Sequence, residues 1–542
     1  MQGLLLISIG LPVVAGILLL ALAFTEHLRA VGGIEKMLDV KDGDVAEGTA
    51  NGNTAEKVVN TGNGNAPKET ADAEKKVGVN GKKFYYYVGI MLVLSVFLTA
   101  ITAWTGDNSV VLFRFIDTIP VYLHVDDVGR FFITIVSVIW LAVGLYSVPY
   151  MKHEGGEKRY YGFLLLSYGV LTGLIFAGNL ITMYLFYELI TLVSMPLVLH
   201  NGTREAVMAA RKYLFYSLCG AYGGLFGIFF LYRYCGSLDF MIGGTLDAAA
   251  VRGHEGILLI AVFVMLMGFG VKAGMLPLHA WLPAAHSVAP SPASAVLSAV
   301  IVKAGVIAIV RVVFYIIGAD FLRGTWVQYI WMILALLTIF MGSMLAYRER
   351  EFKKRLAYST VSQVSYILYG LSLLTFEAME GAFFHVAAHG LIKCGLFLTA
   401  GVFLYRFGYT RVEQLEGLGK KMPKVMWCYT LFSLGLIGIP PTCGFISKWY
   451  LAQGSLKSEI PVFSWLGPVI LLVSALLTAG YLLPITIKGF FPGEEKRCED
   501  SVVHSSESVC QGKEVASGML VPLIVLAALV LMLGIFPTFV LK

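Results

Sequence analysis

Residues 268–311 decide the fold, and they read GFGVKAGMLPLHAWLPAAHSVAPSPASAVLSAVIVKAGVIAIVR. Two apolar segments flank a proline-rich turn, and each carries one lysine, Lys272 in the first and Lys303 in the second. A lysine in mid-membrane costs roughly 2.5–3.5 kcal/mol on insertion scales, so it usually faces the protein interior or a wet cavity. Two buried ammonium groups beside a broken helix therefore predict an ion path. Alternatively, both lysines snorkel to water from helix ends.

Prolines predict where the membrane helices are interrupted, because a proline in a span frees backbone groups that need protein or water as partners. The predicted breaks are Pro277, Pro283, Pro440 and Pro441. The second pair lies in GIPPTCGFISKWY, residues 438–450, where Lys448 follows the break. A broken span with a lysine therefore occurs twice. Interrupted helices at corresponding places in two halves of a carrier point to a transport site.

The composition is that of a membrane protein with many spans. The chain has 542 residues, of which 57% are hydrophobic and 14% are charged, whereas soluble domains carry about 25% charged residues. The formal net charge of +6 reflects the loop bias of membrane proteins and does not indicate a nucleic-acid partner. Residues 4–24 lack a basic leader and a small-residue cleavage site, so they predict a retained first span.

The cysteines and the motif pattern give no cofactor or metal site. The 7 cysteines form no CxxC pair and do not resemble a disulfide framework or an iron–sulfur site. Cys498 and Cys510 share a polar loop, but a reducing compartment is predicted there. No Walker-type phosphate loop occurs. We expect no cofactor, and no redox or nucleotide chemistry in this chain alone, although it could belong to an oxidoreductase complex.

Apolar runs of about 20 residues predict an all-α polytopic fold with about fourteen spans. They lie near residues 3–24, 84–104, 130–150, 160–178, 180–199, 211–233, 256–276, 293–316, 326–346, 355–374, 380–405, 426–452, 462–487 and 518–540. Two polar insertions interrupt the pattern. Residues 35–83 contain no aromatic side chain and cannot bury enough apolar surface to fold alone, so they are predicted to be disordered. Residues 488–517 predict a shorter polar loop.

Basic loops set the predicted orientation. The basic segments are residues 152–159, 204–212, 348–355 and 406–424. The acidic or neutral segments are residues 117–127, 239–255 and 377–380. The basic ends are predicted to be cytoplasmic in the cell membrane, and both termini to lie outside because the number of spans is even. Both polar insertions then fall on the cytoplasmic side.

Glu188 lies in an apolar segment, GNLITMYLFYELITLVSMPLVL, residues 178–199. A lone carboxylate in a membrane is either protonated or paired with a cation. Lys272 is the natural partner, so a Glu188–Lys272 pair is predicted. The alternative is a neutral glutamic acid that hydrogen-bonds a neighbouring helix.

A ladder of His385, His389 and Lys393 has the spacing i, i+4, i+8, which places all three side chains on one stripe of a helix. Imidazole titrates nearest physiological pH, so this ladder could pass protons in small free-energy steps. Plain packing is the alternative. Metal binding is not expected, because no carboxylate in that stretch completes a zinc set and Lys393 would repel a cation.

Four motifs carry a resemblance to a known family. They are VKAGMLPLHAWLPAAH (271–286), APSPASAVLSAVIVKAGV (289–306), FHVAAHGLIKCGLFL (384–398) and GIPPTCGFISKWYL (438–451). They resemble the proton-translocating antiporter-like membrane subunits over about residues 100–490. That family includes the large membrane-arm subunits of respiratory complex I, the Mrp-type sodium/proton antiporters and the membrane subunits of group 4 energy-converting hydrogenases.

The resemblance implies about fourteen transmembrane helices, with two inverted five-helix repeats and two discontinuous helices. It makes Glu188 and Lys272 the coupled pair, Lys303 with the His389/Lys393 stripe the central relay, and Lys448 the terminal site. The chain then divides into a first helix (1–34), a polar insertion (35–83), helices 2–3 (84–158), a first repeat (159–316), a second repeat (317–487), a polar loop (488–517) and a last helix (518–542). Residues 35–83 depart from the family pattern. Lys448 favours the D-type Mrp subunits or the hydrogenase group, since one class of complex I subunit has glutamate there.

The predicted function is translocation of protons, with or without coupling to sodium, by a subunit that works with other membrane subunits. Protons would pass along the line Glu188–Lys272–Lys303–His389–Lys393–Lys448. Charging one member repels the next, because like charges in a low dielectric interact by several kcal/mol. The alternatives are a pumping subunit of an NADH or quinone-linked dehydrogenase, a structural subunit whose charges only hold helices together, and a carrier of an organic solute.

Overall fold

A computed structural model describes residues 2–43, 66–106, 108–116, 119–492 and 514–538. The helices are α1 (Gln2–Gly43), α2 (Ala66–Trp104), α3 (Asp127–Glu154), α4 (Glu157–Ile175), α5 (Leu180–Val198), α6 (Arg204–Tyr234), α7 (Ala248–Val251), α8 (Glu255–Lys272), α9 (Trp281–Val288), α10 (Ser291–Val296), α11 (Lys303–Val310), α12 (Ala319–Leu322), α13 (Trp326–Arg348), α14 (Phe352–Ser372), α15 (Phe376–Phe407), α16 (Leu418–Lys421), α17 (Pro423–Ile437), α18 (Cys443–Leu456), α19 (Phe463–Phe490) and α20 (Ser517–Ile535). Leu297–Ile301 and Arg311–Ile317 are π-helical and flank α11, and Val412–Leu415 is a 3₁₀ turn.

Eleven helices in the described part of the chain are long and apolar enough to cross a membrane. They include the continuous run Ser291–Ile317, which combines α10, α11 and the two π-helices. The other three predicted spans coincide with α4, α14 and the interrupted pair α17–α18. The chain is therefore a mostly helical multi-pass membrane protein, and the total of fourteen spans stays a prediction.

Two helices form the centre of the molecule. The most apolar 18-residue segment of α15 is 100% buried and that of Ser291–Ile317 is 89% buried, whereas the corresponding segment of α1 is 33% buried. α15 packs against α3, α10, α14, α17, α18 and α20. Side chains on α15 and on residues 291–317 are thus shielded from lipid, and any charge they carry must be satisfied by protein or water.

The four basic segments lie at the same end of the helices. The Arg159 guanidinium donates to the His200 carbonyl, and the Lys353 amine donates to the Ala289 carbonyl at 2.5 Å. Phe352 N donates to the Thr410 carbonyl at 2.8 Å, which joins the third and fourth basic segments. These contacts agree with the predicted common side of the basic loops.

The opposite end is closed by a small sheet that sequence reasoning missed. Strands β1 (Ser109–Ile116) and β2 (Ile119–His124) pair antiparallel, and β2 lies within residues 117–127, which were predicted to be an acidic or neutral loop. β2 also joins the α4–α5 junction, since His124 N donates to the Phe176 carbonyl at 2.6 Å. The all-α prediction is therefore wrong for this hairpin. β-branched and aromatic residues dominate both strands, and such residues favour extended backbone.

The disorder predicted for residues 35–83 stays a prediction, although helices extend into both ends of this segment. α1 continues to Gly43 and α2 begins at Ala66. Ala, Glu and Lys, which are frequent at the start of α2, have high helix propensity and extend a helix beyond its apolar part. Residues 44–65 lie outside the described part of the chain, as do residues 493–513 of the predicted polar loop.

Candidate ion pathway

Lys272 is buried at the last residue of α8. Its amine donates to the Tyr187 carbonyl at 2.8 Å and to the Thr191 hydroxyl at 2.7 Å, both on α5. The amine also lies 3.8 Å from the centre of the Tyr187 ring, a cation–π distance. α8 ends here because Gly274 adopts a positive φ of 75° and Pro277 follows. A cation at a helix C-terminus is favoured by the helix dipole.

Glu188 follows Tyr187 in the sequence but makes no direct bond to Lys272. Its carboxylate accepts from the Tyr184 hydroxyl at 3.3 Å, and the side chain is half-buried at the outer face of α5. The predicted pair is therefore wrong as a direct ion pair. Glu188 and Lys272 remain close enough to interact electrostatically. Sequence spacing could not reveal this offset, because Tyr187 and Thr191 compete for the same amine.

Lys303 makes the central contact of the site. It begins α11, and only Val302 separates it from the π-helix Leu297–Ile301. Its amine donates to the Ser298 carbonyl at 3.0 Å and lies 2.6 Å from Nδ1 of His389. Both side chains are buried. A π-helix leaves backbone carbonyls out of the α-helical pattern and often marks a functional site.

The side chains of the stripe on α15 contact two different neighbouring helices. His389 and His385 are neighbours, with ring centroids 6.1 Å apart, and Nδ1 of His385 lies 2.8 Å from the Ser447 hydroxyl on α18. Lys393 points the other way, towards the basic end. Its amine donates to the Leu356 carbonyl at 2.9 Å and to the Ser359 hydroxyl, both on α14.

Lys393 therefore does not contact α18, although the predicted order His389–Lys393–Lys448 put it next to Lys448. His385 lies between His389 and α18, while Lys393 forms a side branch. The three residues share a stripe, as the i, i+4, i+8 spacing predicts, but a stripe does not say which end of it meets which neighbour. The Nε2 atoms of His385 and His389 are buried and have no partner in the described part of the chain. Buried polar groups of this kind usually bind water.

Lys448 lies beside the second break. α17 ends at Ile437 and α18 begins at Cys443, with Pro440 and Pro441 between them. The Lys448 amine donates to the Leu436 carbonyl at 2.6 Å and to the Ile437 carbonyl at 2.8 Å. These are among the last carbonyls of α17, which lack helical partners. The side chain is half-buried.

The first break lies between Lys272 and Trp281, where α8 gives way to α9. Pro277 falls inside this interval. Pro283 does not break a helix, and that prediction is wrong, because Pro283 is the third residue of α9. A helix leaves its first amide hydrogens unbonded, so a proline is tolerated in the first turn.

Tyr366 is a site residue that sequence reasoning missed. Its buried ring stacks on His385 with centroids 5.3 Å apart, and the Lys448 amine lies 5.2 Å from the ring centre. The hydroxyl donates to the Leu471 carbonyl at 3.0 Å. The ring therefore connects the histidine ladder to the terminal lysine.

A feature of the sequence that could have indicated this part of the site is the hydroxyl-rich segment YSTVSQVSY of α14, residues 358–366. So many hydroxyl groups in one span need partners. Ser362 and Ser474 flank Ser343, whose hydroxyl lies 2.8 and 2.6 Å from theirs. Both polar atoms of buried Gln363 have no partner in the described residues. The side of the histidine ladder that faces α14 is therefore polar, although residues 358–366 contain no charged side chain.

We expect Tyr366→Phe to keep ion translocation near the parent rate, and Tyr366→Leu to lower it roughly tenfold. Phenylalanine retains the ring that stacks on His385 and faces the Lys448 amine, whereas leucine removes it. Uptake of protons into vesicles, at equal amounts of assembled protein, measures the difference. Equal loss in both variants would mean that the hydroxyl bond to Leu471, and not the ring, is what the site needs.

Within the described residues, no group of three His, Cys, Asp or Glu side chains could hold a metal ion. Cys498 and Cys510 lie outside the described residues, and the other five cysteines are unpaired thiols. The titratable groups of the candidate pathway are amines and imidazoles in a line, with the Glu188 carboxylate at one edge.

The chain matches a described family over residues 177–478, the transmembrane family of NADH:quinone oxidoreductases and Mrp antiporters. It is 33% identical over 420 residues to the N subunit of the NADH-quinone oxidoreductase of Desulforudis audaxviator, covering 76% of this chain and 82% of the relative. It is 28% identical over 415 residues to the D subunit of the Na(+)/H(+) antiporter of Bacillus subtilis, covering 77% of this chain and 80% of the relative.

A solved structure has the same fold. A chain of the Mrp complex from Dietzia sp. DQ12-45-1b superposes with a TM-score of 0.73 at 21% identity, covering 87% of this chain and 93% of that chain. The family match spans more than half of the sequence and includes every titratable residue of the pathway. The chain therefore belongs to the family of transmembrane subunits shared by NADH:quinone oxidoreductases and Mrp antiporters.

Proposed function

We propose that this chain translocates protons across the cell membrane as one subunit of a multisubunit complex, with or without counter-transport of sodium. The observation that carries the proposal is the Lys303–His389 contact of 2.6 Å, buried at the centre of the helices. Two groups that can each hold a proton cannot both be charged cheaply at this distance in a low dielectric. A proton on one therefore disfavours a proton on the other, which is the property that a relay requires.

The proposed path runs Glu188, Lys272, Lys303, His389, His385 and Lys448, with Lys393 as a branch to the basic end. Its two terminal members are half-buried and its four central members are buried. This difference in burial supports access of ions from outside the protein at the two ends of the path and shielding of the groups in its middle. No protein contact joins Lys272 to Lys303 in the described residues. Their helices nevertheless touch, since Gly305 lies against the backbone of Phe269 and Ala273, and the proposal places water between the amines.

The spans that the proposal assumes are the eleven described above together with α4, α14 and the pair α17–α18. They divide into two sets of five, starting at α4 and at α13, as the resemblance implies. In each set the fourth member is the interrupted one, α8–α9 in the first and α17–α18 in the second. This correspondence supports two repeats with discontinuous helices. The basic end would be cytoplasmic and both termini outside.

The similarity to the N subunit of a NADH-quinone oxidoreductase favours a second form of the same proposal, in which this chain pumps protons for a quinone-linked dehydrogenase. Both forms use the same path and differ in the partner subunits. Other membrane subunits are proposed as partners in either case, because the similar proteins are subunits of membrane complexes.

Glu188→Gln tests the proposal. We expect ion uptake by vesicles to fall roughly tenfold or more, while Glu188→Asp keeps part of it, because only the carboxylate can act on Lys272 by its charge. Glu255→Gln, an exposed site at the start of α8, is the matched control and should transport normally. Parent-level uptake in Glu188→Gln would remove Glu188 from the path. Loss of assembly in that variant would instead support a structural role.

A further inference from the structure

A cleft of about 740 Å³ opens at the basic end between α6, α9 and the start of α14. Four cations line it: Arg204, Arg211, Lys212 and Lys354. Glu205 is the one carboxylate in the lining. Lys354 has a partner, Glu351, at 3.8 Å. The other three cations make no ion pair within the described residues, so the cleft has an uncompensated positive charge.

An apolar stripe on α6 begins beside these cations, since Met208 and Phe215 also line the cleft. Met208, Phe215, Tyr222 and Phe229 are spaced seven residues apart, and each is between 60% and 68% exposed. Seven residues are about two helical turns, so the four side chains lie on one face. From Met208 to Phe229 the stripe runs roughly 32 Å at 1.5 Å per residue, about the hydrocarbon thickness of both leaflets, so a single lipid would cover only the half of the stripe beside the cleft.

The arrangement of charge above and apolar surface below matches one kind of molecule. A glycerophospholipid places a phosphate at the membrane surface and its acyl chains along the spans. Basic pockets between transmembrane helices on the cytoplasmic side bind anionic head groups. An acidic protein segment at the membrane surface would complement the cations but would leave the exposed apolar side chains of Met208 and Phe215 uncovered.

We propose that this cleft is a binding site for one anionic phospholipid. The phosphate lies among Arg204, Arg211 and Lys212, and the acyl chains lie along the part of the stripe that lines the cleft, at Met208 and Phe215. The lipid also touches α9 through Ser287, which lines the cleft. α9 directly follows the break after Lys272, so the lipid would support the interrupted helix from outside. The inference does not depend on the proposed translocation and fails or holds separately.

The test uses the full chain in its assembled, detergent-solubilised complex. Native mass spectrometry counts retained lipid after addition of phosphatidylglycerol or phosphatidylcholine, and thermal unfolding measures stabilisation. We expect phosphatidylglycerol to be retained and to raise the thermal midpoint more than phosphatidylcholine does. The double variant Arg211→Gln/Lys212→Gln should weaken this preference roughly tenfold or more. Lys420→Gln/Lys424→Gln, exposed cations at the same end but outside the cleft, should leave it unchanged.

Three results would overturn the inference. Equal retention and stabilisation by the two lipids would remove the anionic site, and so would an unchanged preference in the cleft variant. Stabilisation by inorganic phosphate alone, equal to that by phosphatidylglycerol, would mean that the acyl stripe has no part. If the double variant does not assemble, raising the salt concentration from about 0.1 to about 0.5 M replaces it, since screening should reduce the preference in the parent protein.

Discussion

Replacing Lys448 with arginine is expected to leave the complex assembled while ion translocation falls by roughly tenfold or more. Arginine preserves the positive charge of Lys448 but not its ability to exchange a proton. The Lys448 amine lies at the carbonyls of Leu436 and Ile437 beside the second helix break, where a guanidinium could keep the same contacts. An amine can release and regain a proton during turnover, but a guanidinium with a pKa above about 12 cannot.

Uptake of protons or sodium into vesicles that hold equal amounts of assembled complex measures this effect. Lys448→Ala should be impaired at least as much. Lys457→Arg is the matched control, because Lys457 directly follows the same helix and its amine pairs with Glu377 at 3.6 Å. Full activity in Lys448→Arg would make Lys448 a fixed charge. The terminal step would then belong to another group of the ladder, most directly to His385, which lies nearest to α18.

Replacing Asp126 with asparagine is expected to destabilise the protein by about 3 kcal/mol, the usual effect of leaving one member of a buried ion pair alone. Arg311 is 1% exposed and lies between the rings of Phe240 and Tyr315. Its guanidinium donates to both oxygens of Asp126, at 2.5 and 2.7 Å. Asparagine keeps the N-cap bond that Asp126 accepts from Gly129 at 2.9 Å, so the variant removes the charge and little else.

Thermal unfolding of the assembled protein should show the loss as a midpoint lowered by several degrees. Arg311→Met combined with Asp126→Asn should recover most of it, because the pair is then absent and no charge is left buried. A double variant as unstable as Asp126→Asn alone would contradict this account and assign the loss to the cap.

The same pair predicts a pH dependence. Burial alone would raise the pKa of Asp126, but the hydrogen bonds and charge of Arg311 lower it below its ordinary value of 3.8. A carboxyl whose pKa is lowered by folding stabilises the fold above its unfolded pKa, and this stabilisation is lost as the pH falls further. The midpoint of the parent protein should therefore drop on acidification below about pH 4, and Asp126→Asn should remove this part of the drop.

The eleven membrane spans and the ionisable residues within the apolar segments could be predicted because they depend on local chemistry. An apolar run of about 20 residues has few folds other than a membrane helix, and a lysine or glutamate within it is conspicuous. The breaks near Pro277 and Pro440 follow from the backbone chemistry of proline. Pro283 shows the limit of that rule, since the same residue is harmless in a first turn.

The connections between these residues could not be predicted, because they depend on how helices distant in sequence meet. Lys272 bonds Tyr187 and Thr191, not Glu188, and His385, not Lys393, faces α18. Tyr366 escaped notice because tyrosine in a span is ordinary, and only the packing of α14 against α15 and α18 gives it a role. The hairpin at residues 109–124 was missed because residues 117–127 were predicted to be a loop, although β-branched and aromatic residues are frequent in both strands.

The π-helix Leu297–Ile301 gives the central lysine a hinge of an uncommon kind. A π turn holds about one residue more than an α turn, so converting it to an α turn rotates the following segment by about 100°, the angular step of one residue. That rotation would carry the Lys303 amine out of reach of His389 and turn it towards a different neighbour. A buried contact at the centre of the path would thus be opened and closed by a screw motion of a few residues.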